Sequence, residues 1–286
     1  MSIGKTGNIT VKLPDGTDLD AKHQVTVIVT DHKKAPQQGK NVAVKGDLGQ
    51  SAAGKTDKNG ELTVPEVEQT ERHGVYIVGY TDGTFGPSRS MTRSEAAAIF
   101  ARLLAEKNGD TISTAANTKF ADIPAHAWYS GYVKYLSNNG ITYGKSKTVF
   151  APNDAITRAE FTTMAVRFFD VYGDGDAEIM EQFSGFNDVS SGYWAAEYIK
   201  YAALHGWING YGDGSFHADD EINRAEVVTI VNRLLGREAD EDYIADNLRK
   251  LNTFPDVSRK HWAYYAVMEA ANAHTAVLGE SESWSK

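Results

Sequence analysis

The sequence contains no cysteine. That excludes disulfides, thiolate metal sites and cysteine nucleophiles together. No apolar run approaches the roughly 18 residues a membrane-spanning helix needs, so no span is expected. Residues 1–20, MSIGKTGNITVKLPDGTDLD, lack the apolar stretch of a secretory leader, and no leader is read there. Positive charge is in deficit: 29 Lys and Arg stand against 38 Asp and Glu, a formal charge of −9. Proteins that coat nucleic acid are ordinarily basic, so nucleic acid is not an expected partner. A few arginines acting locally can still hold an anion, because exposed charges are screened beyond about 10 Å at 0.1 M salt. The 8 histidines are scattered and form no His-x-x-x-His pair, so no metal and no cofactor is read from the sequence. No serine–histidine–acid set and no specially placed carboxylate pair can be assembled, and the chain is not expected to be an enzyme.

What is present divides the chain into two territories. Residues 1–70 read as β structure. NITVKL (8–13) and NVAVKG (41–46) alternate, and HQVTVIVTD (23–31) is rich in β-branched residues. KTDKNGELTV (55–64) reads as a hairpin with Asn59-Gly60 in a type I′ turn. Four or five short strands predict a small antiparallel sandwich. The polar stretch VEQTERHG (67–74) is read as a linker.

From about residue 75 the texture changes to helices and glycine-rich turns, and a repeat emerges. One half-unit opens on Phe-x-Asp and continues into a tryptophan helix: FADIPAHAWYSGYVKYLSNNG (120–140), FNDVSSGYWAAEYIKYAALHG (186–206) and FPDVSRKHWAYYAVMEAANAH (254–274). The other is a turn followed by a helix: GYTDGTFGPSRSMTRSEAAAIFARLL (79–104), GKSKTVFAPNDAITRAEFTTMAVRFF (144–169) and GYGDGSFHADDEINRAEVVTIVNRLL (210–235). Arg93, Arg158 and Arg224 recur at intervals of 65 and 66 residues. Trp128, Trp194 and Trp262 recur at 66 and 68.

The TRAE box has a local physical logic. Thr157 stands at an N-cap position with Glu160 three residues later, the signature of a capping box. Thr92 with Glu95, and Asn223 with Glu226, repeat it. Val227, Ile230, Val231, Leu234 and Leu235 then form the stripe of a buried helix face. The arginine between them is not explained this way, because a cation at a helix N-terminus is mildly unfavourable. Two readings are open: a structural ion pair, or an anionic ligand held by guanidinium and free helix amides. Phe85, Phe150 and Phe216 are expected in the core, as are the three tryptophans. Asp82-Gly83 and Asp213-Gly214 are turn dipeptides, and Tyr80 and Tyr211 either stack on a ligand or pack locally.

Together, Phe-x-Asp with a tryptophan helix, Gly-Tyr-x-Asp-Gly-Ser/Thr-Phe and Thr/Asn-Arg-Ala/Ser-Glu identify residues 75–274 as similar to S-layer homology (SLH) modules. The N-terminal stretch, through GKTDKNGELTVP, resembles short immunoglobulin-like or carboxypeptidase-regulatory-like modules. The resemblance implies a multi-domain chain: an all-β module at 1–70, then a mostly α pseudo-threefold SLH trimer closed by the C-terminal helix. The half-units are permuted, so 254–274 is expected to complete 79–104, with 120–169 and 186–235 as the other modules. Residues 275–286 are read as a tail. The resemblance also implies cell-wall anchoring outside the cell, through an anionic secondary cell-wall polysaccharide that carries a pyruvate ketal in many members. The candidate ligand-binding residues are Arg93, Arg158, Arg224, Tyr80, Asp82, Gly83, Tyr211, Asp213 and Gly214. Copy two has Lys145 where the others have Tyr80 and Tyr211, and lacks the Asp-Gly, so the Arg158 site is expected to be altered.

Alternatives stay open. The β module could be the specific binder of an adhesin or surface-layer assembly protein, with self-association. The chain could also be the non-catalytic anchor of a surface enzyme. GITYGKSKT (140–148) has three residues, not four, between glycine and Gly-Lys, and is not a P-loop. DVYGDGDAE (170–178) lacks EF-hand spacing and reads as an acidic loop. ADEDYIADNLRKL (239–251) reads as a short helix with Ile244, Leu248 and Leu251 inward.

Overall fold

The computed structural model describes residues 69–172, 183–278 and 283–285, together with 7–12, 25–31, 35–36, 38–39, 41–45, 51–55 and 57–64. The chain divides into two compact units, one of residues 1–71 with 275–285, the other of residues 72–274.

In the first unit, strands β1 (Gly7–Lys12), β2 (Val25–Asp31) and β5 (Glu61–Val64) form an antiparallel sheet in the order β1-β2-β5. Strands β3 (Asn41–Lys45) and β4 (Ser51–Lys55) form a separate antiparallel ladder. The predicted strands are therefore present. Their packing into a sandwich lies outside the described residues. Residues 55–64 depart from the expected hairpin. Gly60 alone is left-handed, at φ 73°. Asp57 Oδ1 accepts from the amides of Asn59 (2.7 Å) and Glu61 (2.9 Å), so an aspartate-nucleated turn replaces the type I′ turn. β5 leaves that turn to pair with β2 rather than β4.

The stretch read as a linker contains strand β6 (Gln69–His73), and the stretch read as a tail contains β7 (His274–Leu278) and β8 (Ser283–Ser285). They form a three-stranded sheet in the order β6-β7-β8. β6 and β8 are mainly polar and β7, HTAVL, is short, and pairing between strands so far apart in the chain leaves no local signal.

The second unit is mainly helical. Three long helices, α1 (Arg93–Asn108), α3 (Arg158–Tyr172) and α5 (Arg224–Leu235), each follow a glycine turn. Shorter helices α2 (Ser130–Asn138), α4 (Ala196–Leu204) and α7 (Tyr264–Ala271) pack on α1, α3 and α5 respectively. Helix α6 (Glu241–Asn247) buries Ile244, while Leu248 and Leu251 are half-buried.

The segments entering the long helices interlock cyclically. The Met91 amide donates to Ile222 O (2.9 Å), Ile156 to Met91 O (2.9 Å) and Ile222 to Ile156 O (3.1 Å). Met91, Ile156 and Ile222 are fully buried. Each helix start then docks on the next repeat's turn. The Arg93 amide reaches Asp154 O, that of Arg158 reaches Asp220 O, and that of Arg224 reaches Arg89 O.

Phenylalanine pairs knit each turn to a Phe-x-Asp segment: Phe120 with Phe150 (5.5 Å), Phe186 with Phe216 (5.1 Å) and Phe254 with Phe85 (5.3 Å). The aspartate of each segment caps two amides of the turn. Asp122 accepts from Phe150 and Ala151, Asp188 from Phe216 and His217, and Asp256 from Phe85 and Gly86. The second residue of each pair is left-handed: Ala151 at φ 59°, His217 at 55° and Gly86 at 68°. Two hydrogen bonds to a charged acceptor, each contributing about 1.5–3 kcal/mol, offset the strain at Ala151 and His217.

Candidate binding site

The capping boxes form as expected. Thr92 and Asn223 cap α1 and α5 with reciprocal bonds from Glu95 and Glu226. At α3 the Glu160 amide donates to Thr157 Oγ1 and the Thr157 amide to Glu160 Oε2, both at 3.2 Å.

The other oxygen of each glutamate meets an arginine from the preceding repeat in the cycle. Arg93 Nη1 lies 3.0 Å from Glu160 Oε1, Arg158 Nη1 2.8 Å from Glu226 Oε1, and Arg224 Nη1 3.9 Å from Glu95 Oε1. The Nε of each arginine donates 2.8 Å to a phenylalanine carbonyl, of Phe150, Phe216 and Phe85 respectively. All three arginines are about 95% buried. The ion pair left open by the sequence therefore exists, with the capping glutamate of another repeat as its partner. Burial pushes the Arg224 pKa down, against the raising effect of Tyr80 and Glu95.

Each arginine works with the turn of the next copy. This overturns the expectation that copy two's altered turn affects Arg158: it faces Arg93. Tyrosine rings lie over the other two guanidinium groups, Tyr211 on Arg158 (5.1 Å) and Tyr80 on Arg224 (4.7 Å). Lys145 stands at the corresponding position of copy two and pairs with Asp154 at 3.1 Å. A cavity of about 90 Å³ opens there, lined by Arg93, Thr142, Tyr143, Glu160, Arg167 and Trp194 among others.

The remaining candidates have turn-forming roles. Asp82 Oδ1 accepts from the Thr84 amide (2.9 Å) and hydroxyl (2.6 Å), and Asp213 Oδ1 from those of Ser215 (3.0 and 2.5 Å). Bonding to the hydroxyl and then the amide holds both carboxyls below the usual aspartate range. Gly83 and Gly214 are left-handed, at φ 83° and 84°. Tyr211 is exposed, with its hydroxyl 3.4 Å from Glu226.

Two features escaped the sequence reading. Trp128, Trp194 and Trp262 are 54%, 57% and 65% exposed, not core. They sit just before α2, α4 and α7, in turns outside the apolar stripes of those helices. Arg102, Arg167 and Arg233 recur nine residues after Arg93, Arg158 and Arg224. Arg167 lies in the cavity, over the rings of Tyr143 (4.8 Å) and Tyr198 (4.9 Å). That second repeating arginine was the signal available in the sequence.

Chemically, the Arg93 cavity joins two cations, one carboxylate already engaged by Arg93, the hydroxyls of Thr142, Tyr143 and Thr163, and an exposed indole. Such a lining suits a small anionic group attached to a flat, partly apolar body.

The S-layer homology domain matches residues 63–97, 119–162 and 185–228. The chain is 34% identical over 218 residues to cell surface glycoprotein 1 of Acetivibrio thermocellus, covering 73% of this chain and 9% of that protein. It is 30% identical over 233 residues to the cellulosome-anchoring protein of the same organism, covering 81% of this chain and 49% of that protein. It is 32% identical over 163 residues to the surface-layer 125 kDa protein of Lysinibacillus sphaericus, covering 56% and 13%. The chain thus spans at most about half the length of these relatives.

Proposed function

We propose that this chain, which carries three S-layer homology domains, anchors a surface protein to the bacterial cell wall by binding an anionic wall polysaccharide. Relatives named as cellulosome-anchoring and surface-layer proteins support the anchoring part of this reading. The observation that carries the ligand part is the Arg93 cavity, where a buried guanidinium, Arg167 and an exposed tryptophan line one opening. A carboxylate such as a ketal pyruvate fits between the two arginines, and the sugar ring lies against Trp194. The Arg158 and Arg224 grooves serve the same class of ligand under their tyrosine covers. The half-unit 254–274 completes 79–104, so that three modules close one ring. Localisation at the cell surface follows from the same reading, and catalysis is not part of it.

The test is calorimetric titration of the full chain with purified wall polysaccharide, native and after mild acid removal of ketal pyruvate. Native polymer is expected to bind, and Trp194→Ala to weaken it by about tenfold, in line with a stacking contact of about 1–1.5 kcal/mol. Equal binding of both polymers would contradict the anionic recognition. Unchanged binding by a folded Trp194→Ala protein would contradict the placement of the site.

A further inference from the structure

The unit of residues 72–274 also holds a buried cluster with no part in the grooves. His73 ends β6, Glu269 lies on α7 and His274 begins β7. All three are buried, Glu269 almost completely. His73 Nδ1 is 3.4 Å from Glu269 Oε1, and His274 Nε2 is 3.3 Å from Glu269 Oε2. The donor atoms of the three residues lie within 4.8 Å of one another.

A carboxylate this deeply buried is costly unless its charge is compensated. Neither Glu269 oxygen accepts a hydrogen bond. Arg237 is buried too and, like Glu269, acts on the Tyr76 hydroxyl, but no ion pair joins it to Glu269 among the described residues. Each imidazole nitrogen approaches its own oxygen of the Glu269 carboxylate, so two nitrogens and a carboxylate converge on one small volume, the donor set of a four-coordinate ion with one position left over.

The orientation of His274 agrees. Its Nδ1 lies 3.0 Å from Asn272 O, and donating there leaves the Nε2 lone pair facing Glu269. Asn272 is itself fixed, donating to Met268 O (3.0 Å) and accepting from the Asn252 amide (2.6 Å). A backbone acceptor behind a ligating imidazole is the usual support of a metal-bound histidine.

We infer that His73, Glu269 and His274 form a site for one divalent transition-metal ion, with zinc the best match to two imidazoles and a carboxylate. Within the helical unit, the ion fastens His73, just before the first repeat, to Glu269 and His274 at the end of the last half-unit. Spacing could not reveal it, because the two histidines stand at opposite ends of the repeat region.

The full chain, stripped with chelator, is titrated with Zn²⁺ and separately with Co²⁺. One zinc per chain is expected, together with a raised unfolding temperature. Bound cobalt is expected to show the intense visible absorption of four-coordinate geometry. His73→Gln and Glu269→Gln are each expected to weaken zinc binding by about 100-fold or more. Failure of the wild-type chain to retain zinc would overturn the inference. So would folded variants that bind zinc as tightly as wild type. If the variants do not fold, the cobalt spectrum decides: absent or six-coordinate absorption overturns the assignment.

Discussion

Trp194 leaves more than half its surface in solvent at the mouth of the Arg93 cavity, while Gly144 in the same lining tolerates nothing larger. A Cβ on Gly144 would stand 2.4 Å from the Phe120 ring and 2.6 Å from Val149 O, at φ 81°. Gly79 and Gly210 face Phe254 and Phe186 in the same way. Gly144→Ala is expected to destabilise by about 2–4 kcal/mol, read from urea midpoints, because overpacking and left-handed strain add. Trp194→Ala is expected to lower that midpoint less than Gly144→Ala does, since more than half of the side chain stands in solvent. The aspartates behave differently again. Desolvation raises the pKa of Asp188 and Asp256, but the amide bonds from Phe216 with His217, and from Phe85 with Gly86, outweigh it and lower both. Stability from these groups is complete above the unfolded value of about 3.9 and is lost as pH falls through the lower folded values. Unfolding monitored from pH 7 to pH 2 is expected to show a flat region followed by an acid limb. Asp188→Asn should lower the plateau and shallow that limb. An unchanged profile would contradict the capping role.

At the scale of the helix, one glutamate side chain serves two masters: its own N-cap amide and the arginine of another repeat. The two roles can be separated. Glu160→Gln preserves a capping box, because glutamine also returns to the N-cap amide, but removes the charge facing Arg93. Glu160→Ala removes both. The glutamine variant is expected to lose about 2–3 kcal/mol, as a charged hydrogen bond to a buried guanidinium is broken. The alanine variant should lose about 1 kcal/mol more. Equal losses, measured by chemical unfolding, would mean that the capping bond contributes nothing. The capping boxes were legible in the sequence because both partners lie within four residues. The arginine partner was not, because it belongs to the next repeat, and only the interlocking of Met91, Ile156 and Ile222 brings it near. The same offset puts the altered turn of copy two against Arg93 rather than Arg158. The tryptophans are exposed for another reason: the helices behind them bury an apolar face, but the indoles precede the helices and do not share that face.

Across the whole helical unit, the repeat register foretold three long helices, three short ones and the buried phenylalanines, but not that α2 packs on α1, α4 on α3 and α7 on α5. It could not foretell strands β6, β7 and β8, whose partners are remote and whose residues are largely polar. The contacts of Phe254 and Asp256 with Phe85 and Gly86 tie the last Phe-x-Asp segment to the first turn. Phe254→Ala is therefore expected to increase amide hydrogen exchange around residues 79–90 as well as in its own segment. Protection lost only near residue 254 would contradict that coupling. In the function proposed above, this unit holds a wall polymer through its grooves. The most direct measurement is co-sedimentation of the full chain with purified cell walls, intact and after extraction of their non-peptidoglycan polymer. The chain is expected to pellet with intact walls, to stay in solution with extracted walls, and to pellet less when Trp194 is alanine. Equal pelleting with both wall preparations would contradict it.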